Sequence, residues 1–224
     1  MHYPTHYQSY GQFLCLSNYD NMSVATAQKR KPMRNLTLIT IIALTSFAVK
    51  AQNDVGQTQS EYVESTPSCL AFMQHSEKKL HAKEKLDLCQ LTAGKAILIV
   101  NTASHCGFAP QFKTLESIHK EYKSQGLVVI GFPSNDFFQE EDNEKDTAEI
   151  CFVNYGVTFT MLSPVHVYGS EAHPIFKTLA DKTTAPKWNF YKYLVSADGK
   201  TVKHFNSRVK PDSAEFTNAI NEIL

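Results

Sequence analysis

Cys106 is the residue of this 224-residue chain whose surroundings best suit it to chemistry. It follows the apolar run Ile97-Leu98-Ile99-Val100 and the small polar residues Asn101, Thr102, Ala103 and Ser104, and it stands between His105 and Gly107. A continuous apolar run of this length reads as a buried strand, so the thiol sits where a strand emerges into a loop. Downstream, Leu115, Ile118 and Tyr122 recur at helical spacing, which predicts a helix over 112–125 and puts Cys106 between the strand and the helix start. Backbone N–H groups and the positive end of the helix dipole favour a thiolate at such a point, and the thiolate is the nucleophilic form of cysteine. The alternative is one more small buried hydrophobe, as most free cysteines are.

The other cysteines are Cys15, Cys69, Cys89 and Cys151, with no C-x-x-C and no pair at metal-ligand spacing, which argues against a zinc ribbon or finger. The nine histidines are scattered singly and read as surface or satisfied side chains. No metal or organic cofactor is implied. The 22 basic and 22 acidic side chains balance, whereas nucleic-acid binders and membrane-surface proteins usually carry a basic excess.

Stepping outward along the chain, residues 1–32 are rich in polar residues and tyrosine without strand or helix period, and they end in Lys29-Arg30-Lys31. Met33-Arg34-Asn35 then leads into an apolar stretch over 36–49, followed by Lys50-Ala51. A positive start, an apolar middle short for a bilayer and a small residue at the cut define a secretory signal over 33–51, with cleavage after Ala51. The alternatives are an uncleaved anchor helix or an amphipathic core helix. Met33 could equally serve as the start, so residues 1–32 are either an extension or a long basic leader. No cysteine follows the apolar stretch closely enough for a lipoprotein anchor. Residues 52–68 read as a linker, and 69–224 as the working domain.

Export places the chain where disulfides persist, and removal of residues 1–51 leaves four cysteines, which allow three pairings. Cys69 with Cys89 is the favoured staple, because both precede the core pattern and close a short loop. Two unpaired buried thiols are the alternative. The segment Lys85-Leu86-Asp87-Leu88-Cys89 alternates like a strand.

The periodicities predict strands at 97–101, 127–132, 165–167, 193–195 and 202–205, and helices at 112–125, 147–155, 174–180 and 213–224. A β-α-β opening demands a parallel pair with a right-handed crossover, while the turn Ala197-Asp198-Gly199-Lys200 demands an antiparallel one. An α/β fold with a mixed central sheet and helices on both faces satisfies both. That is the thioredoxin-like plan, in which a reactive cysteine follows the first core strand.

Thioredoxins carry a second thiol three residues after the first. Here that position is Ala109. Peroxiredoxins have a P-x-x-x-T-x-x-C spacing, which is absent: Thr102 lies four residues before Cys106 and no proline precedes it. Three separated blocks instead resemble the glutathione peroxidase family: Asn101 through Gly107, the run Gly131-Phe132-Pro133-Ser134-Asn135-Asp136-Phe137, and Trp188-Asn189-Phe190. The likeness spans residues 95–224, in the family's order and near its spacing.

The resemblance implies that Cys106 is the peroxide-attacking residue, in the sulfur version, and that Trp188 and Asn189 are the pair whose N–H groups face that sulfur. Gln139 matches the family's glutamine with a one-residue gap. Indole and carboxamide N–H groups can stabilise a thiolate and the departing oxygen without titrating. For each there is a structural alternative: a core position for the sole tryptophan, a solvated loop for Gln139. Ser134 and Asp136 replace a cysteine and a glutamine found in many members. Cys151 resembles the resolving cysteine of two-cysteine, thioredoxin-dependent members, where it condenses with a sulfenic acid on the first thiol. Its alternative is an apolar helix position. Bringing two such thiols together requires the Cys151 helix to unwind, and the acidic residues 140–146 read as a mobile loop where it could yield.

The expected protein is a periplasmic or secreted thiol peroxidase acting on hydrogen peroxide and organic hydroperoxides. A thioredoxin-like protein or glutathione would be the reductant. No nucleic-acid partner is expected, and no membrane association after signal cleavage. The short segment between His173 and Trp188 lacks the insertion of tetrameric animal members, which implies a monomer. The competing readings are an exported thiol-disulfide oxidoreductase and a non-catalytic redoxin-like peroxide sensor.

Overall fold

The computed structural model describes residues 68–224. The leader, its cleavage point, Cys15 and nearly all of the linker lie outside the described residues. No helix among the described residues is long and apolar enough to cross a membrane.

The elements in chain order are β1 (Ser76–Lys78), β2 (Lys85–Asp87), α1 (Leu88–Thr92), β3 (Ala96–Thr102), α2 (Gln111–Tyr122), β4 (Leu127–Pro133), α3 (Glu144–Ala148), β5 (Thr160–Met161), α4 (Pro174–Lys182), β6 (Lys192–Val195), β7 (Val202–Phe205) and α5 (Ala214–Asn221). Strands β1 and β2 form a separate antiparallel hairpin. The other five make one sheet in the order β5-β4-β3-β6-β7. Strand β3 runs parallel to β4 and antiparallel to β6, and the β6-β7 pair is antiparallel. The mixed sheet is therefore the expected one, with β3 at its centre.

All seven residues of β3 are buried, because both faces of the sheet are covered. Leu98 and Val100 point to one core, shared with Phe112, Leu115 and Ile118 of α2 and Phe216 and Ile220 of α5. Ile97 and Ile99 point to the other, shared with Leu88 of α1 and Ile175, Phe176 and Leu179 of α4. This alternation is the period-2 geometry of a strand, and truncating any of these side chains to Ala costs about 2–5 kcal/mol.

Three expectations are corrected. Residues 165–167 are not a strand: the N–H groups of Val167 and Tyr168 go to Asp136 Oδ2 at 2.6 and 3.0 Å, and the edge of the sheet is the two-residue β5 instead. The alternation over Lys85–Cys89 stops at Asp87, whose Oδ1 accepts the N–H groups of Cys89 and Gln90 and so opens a helix. Residues 140–146 are not a loop throughout. Asn143 caps α3 by accepting the Asp146 N–H at 3.0 Å, so the helix starts three residues ahead of 147, and Glu140 is buried. Past Ala148 the helix widens into a π-helix over Glu149–Asn154, with the Tyr155 N–H bonding back five residues to Ile150 O at 3.1 Å.

Cys69 and Cys89 are joined by a disulfide with Cα atoms 5.2 Å apart, tying the segment ahead of β1 to α1.

Candidate active site

Cys106 is 4% exposed and carries a free thiol. Helix α2 does not begin directly after it: residues 107–110 form turns, with the Ala109 N–H donating to Cys106 O at 2.8 Å and the Gln111 N–H to Phe108 O at 2.9 Å. The sulfur belongs to the α2/α5 core, as does that of Cys151.

The loop after β4 folds back over this point. Phe138 adopts a left-handed φ of 58°, and its N–H closes a turn on Asn135 O at 2.9 Å. That reversal brings Gln139 O to the His105 N–H, 2.9 Å away, so Gln139 is fastened to the residue next to Cys106. From the third block, Asn189 Nδ2 donates to Gln139 Oε1 at 3.1 Å. Asn189 is fully buried, and its Oδ1 has no partner among the described residues. A buried, unpaired acceptor is costly. One N–H of Asn189 is thus spent on Gln139, and the second remains free for the role the resemblance implies.

Trp188 is 41% exposed and packs against Phe137 at 5.5 Å between ring centroids, so the sole tryptophan is a surface residue of the site and not core. Its segment is held by Asn101, a residue to which sequence reasoning attached no role. Asn101 Nδ2 donates to Trp188 O at 3.1 Å, its Oδ1 accepts the Tyr191 N–H at 2.9 Å, and its backbone O accepts the Phe190 N–H at 2.7 Å. These bonds maintain Phe190 at φ 62°, a conformation that a non-glycine residue rarely holds unless its surroundings impose it. The signal for Asn101 was its place in the first block; its partners lie some 90 residues on.

Beneath Asn189 lies fully buried Lys192, whose Nζ bonds Gln111 Oε1 at 2.9 Å and Phe190 O at 2.8 Å. Burial drives this amine down to about 7. A neutral amine has two N–H donors, which matches the two acceptors offered. Gln111 and Ser207 extend the network, with Ser207 Oγ donating to Asn189 O at 2.6 Å.

Glu140 is the second residue that sequence reasoning missed. Its Oε1 accepts from Ser104 Oγ on the Cys106 side, from Thr147 Oγ1 of α3 at 3.1 Å, and from the Glu141 N–H at 2.8 Å. Burial raises this carboxyl above the ordinary range, against those hydrogen bonds. Glu140 thereby bridges the loop of Cys106 and the helix of Cys151. Cys151 itself is 1% exposed, and burial together with the Glu140 charge pushes its thiol up to about 12. It sits in the π-helical turn, a rare and marginal conformation often found at functional sites.

Ser134 and Asp136 take local roles. Ser134 Oγ accepts the Asp136 N–H at 3.3 Å, and Asp136 also pairs with His166 Nδ1 at 2.6 Å, which raises the His166 imidazole. Beside Cys106 a cleft of about 430 Å³ is lined by Phe108, Trp188 and Arg208, and another of about 300 Å³ by Gly107, Phe108 and Arg208. These give solvent a way to the loop that carries the thiol.

A mixed sheet with a lone cysteine after its central strand, with Gln139 and Asn189 of two later loops bonded to each other and Gln139 bonded to the residue next to that cysteine, defines a redoxin of the thioredoxin-like class. A family model for glutathione peroxidase matches residues 72–180. The glutathione peroxidase of Lactococcus lactis subsp. cremoris (strain MG1363) is 42% identical over 128 residues, 54% of this chain and 82% of that protein. The glutathione peroxidase-like peroxiredoxin HYR1 of Saccharomyces cerevisiae (strain ATCC 204508 / S288c) is 42% identical over 138 residues, 58% of this chain and 83% of that protein. The crystal structure of Trgpx in apo form superposes with a TM-score of 0.54 at 31% identity, covering 69% of this chain and 95% of that one. The chain belongs to the glutathione peroxidase family.

Proposed function

We propose that this protein is an exported thiol peroxidase that reduces hydrogen peroxide and organic hydroperoxides, with Cys106 as the attacking thiol. The observation that carries the reading is the hydrogen-bonded join of Gln139 to both His105 and Asn189, which assembles three distant segments around one cysteine. The Cys106 thiolate attacks one peroxide oxygen, the O–O bond breaks, and the departing oxygen takes a proton to leave as water or alcohol. Cys106 is left as a sulfenic acid. Gln139, Trp188 and Asn189 supply the donors toward the sulfur and the departing oxygen.

Cys151 then resolves. Its thiolate attacks the sulfenic sulfur, the S–O bond breaks, and the hydroxide takes up the thiol proton and departs as water. The Cys106–Cys151 disulfide is reduced by an external dithiol. Both thiols belong to one buried core, and the π-helical turn around Cys151 has the marginal geometry expected of a segment that must open. Presence of Cys151 favours a thioredoxin-like protein over glutathione as donor. The absence of a thiol at Ala109 speaks against simple disulfide exchange. The signal-like segment over 33–51 and the Cys69–Cys89 disulfide support export to the periplasm or beyond, and the short segment before Trp188 supports a monomer.

Peroxide consumption with a thioredoxin system, with glutathione, and with neither tests the reading. Many turnovers with the protein dithiol are expected. Reduction of a protein disulfide substrate without peroxide turnover would overturn it.

A further inference from the structure

The face of the sheet opposite Cys106 carries a second cluster of chemistry-bearing side chains. His75 stands immediately before β1, Glu77 lies within it, and His173 is the N-cap residue of α4. His173 Nε2 is 2.9 Å from Glu77 Oε1, and His75 Nδ1 is 4.0 Å from the same oxygen. The two imidazole rings are 5.2 Å apart between centroids. One ligand atom from each of the three residues lies within 4.8 Å of the other two, and all three side chains are half-buried. The His173 ring also packs on Phe132 of the α1/α4 core, with 6.0 Å between centroids, so one ligand is already seated by the fold.

We propose that His75, Glu77 and His173 bind a divalent late transition cation of the zinc type, clamping the β1-β2 hairpin to α4. Two imidazoles and one carboxylate are an established ligand set for zinc, with water completing the tetrahedron. Bonds of about 2.0–2.2 Å put tetrahedral ligand atoms about 3.3 Å apart, so the cluster must contract by roughly 1 Å. His75, which is farther than His173 from the shared Glu77 oxygen, supplies that movement. The cation replaces a proton: Ile175 N–H donates to His173 Nδ1 at 3.3 Å, which leaves the ring's proton on Nε2 toward Glu77. Binding at Nε2 moves that proton to Nδ1 and releases the Ile175 amide, which becomes a reporter of occupancy.

The site is structural. It is separated from the cysteine pair by the sheet, and it sits on the hairpin that precedes α1, where the Cys69–Cys89 disulfide is anchored. A cation that binds only the folded chain stabilises it by mass action. The proposal stands apart from the peroxidase reading, since neither cysteine of that chemistry takes part.

The experiment titrates Zn²⁺ alone into chelator-treated full chain carrying Cys106→Ser and Cys151→Ser, which removes the free thiols as competing ligands. One equivalent should bind, raise Tm by several degrees and shift the Ile175 amide resonance. His75→Ala and Glu77→Gln, which leave the α4 cap intact, should each weaken binding at least about tenfold. The same two substitutions in the chain with its native thiols should leave metal-free peroxide consumption unchanged. No stoichiometric binding, or binding that survives both substitutions, overturns the proposal.

Discussion

Asn189 Nδ2 donates a hydrogen bond to Gln139 Oε1 across 3.1 Å, and this contact joins two loops that lie 50 residues apart in the chain. Gln139 is in turn bonded through its backbone oxygen to His105, so the amide pair and the Cys106 loop form one unit. Replacing Asn189 by Ala removes both its donor to Gln139 and the donor proposed to face the reacting oxygen. The rate constant for Cys106 with hydrogen peroxide should fall by about 10²-fold, with the loss in the chemical step. Stopped-flow single turnovers measure it, and a rate within twofold of wild type would remove Asn189 from the mechanism.

Asn101 should be needed more for architecture than for chemistry. Asn101→Ala leaves the Tyr191 N–H and the Trp188 carbonyl without their side-chain partner and frees Phe190 from part of what holds it left-handed. A loss of about 2–4 kcal/mol in urea unfolding is expected, with a lowered peroxide rate in the fraction that stays folded. Full stability with normal rate would show that the two side-chain bonds do not position Trp188.

The fold was legible where burial imposes a period. Strands β3 and β4 are continuous apolar runs, and the Asp198-Gly199 turn marks the β6-β7 hairpin. Strand β2 falls within the alternation over Lys85–Cys89, but its partner β1 has no signal, because Ser76, Glu77 and Lys78 carry no apolar alternation. The alternation of Val165 and Val167 is real, yet after Val165 bonds Pro133 O the next donors, Val167 and Tyr168, go to the Asp136 carboxylate, a partner no local pattern reveals. The site divides in the same way. Cys106, Trp188 and Asn189 stand in sequence blocks, whereas Gln139 lies just past the second block and matches only with a gap. Asn101 and Glu140 act through partners tens of residues away, and only folding brings those together. The signature marks the candidate residues, and the hydrogen bonds show how they are held.

The proposed resolving step carries its own pH signature. The buried Cys151 thiol is pushed up to about 12, so a reaction from the closed helix would accelerate with pH through the whole alkaline range. If the helix must unwind first, the exposed thiol titrates near its ordinary value of about 8.5 and the rate of disulfide formation levels off above it. Quenched mass spectrometry after a peroxide pulse follows this step. Levelling near that value is expected, and a log-linear rise beyond pH 10 would contradict unwinding. Cys151→Ser should keep the first turnover and stop recycling by a protein dithiol.

Lys192 should make the protein more stable as pH rises from neutral. Its folded value is lowered to about 7 from 10.5, so between those values the unfolded chain binds more protons than the folded one and unfolding becomes less favourable with increasing pH. The stability gained across that window is of the order of 4 to 5 kcal/mol, and it is lost progressively as pH falls from 10.5 to 7, with little further change below. Lys192→Met removes that slope. Urea unfolding of both proteins at pH 6, 8 and 10 gives the difference, and parallel curves would show that the amine is not neutral in the folded state.

The most direct measurement is peroxide consumption by the Cys106→Ser protein beside wild type, with a protein dithiol in excess and with none. Wild type should consume about one equivalent per chain without reductant and many with it. Cys106→Ser should consume none in either condition while retaining the wild-type circular dichroism spectrum and melting transition. Sustained consumption by the folded serine protein at the wild-type rate would contradict the assignment of Cys106 and the peroxidase chemistry built on it.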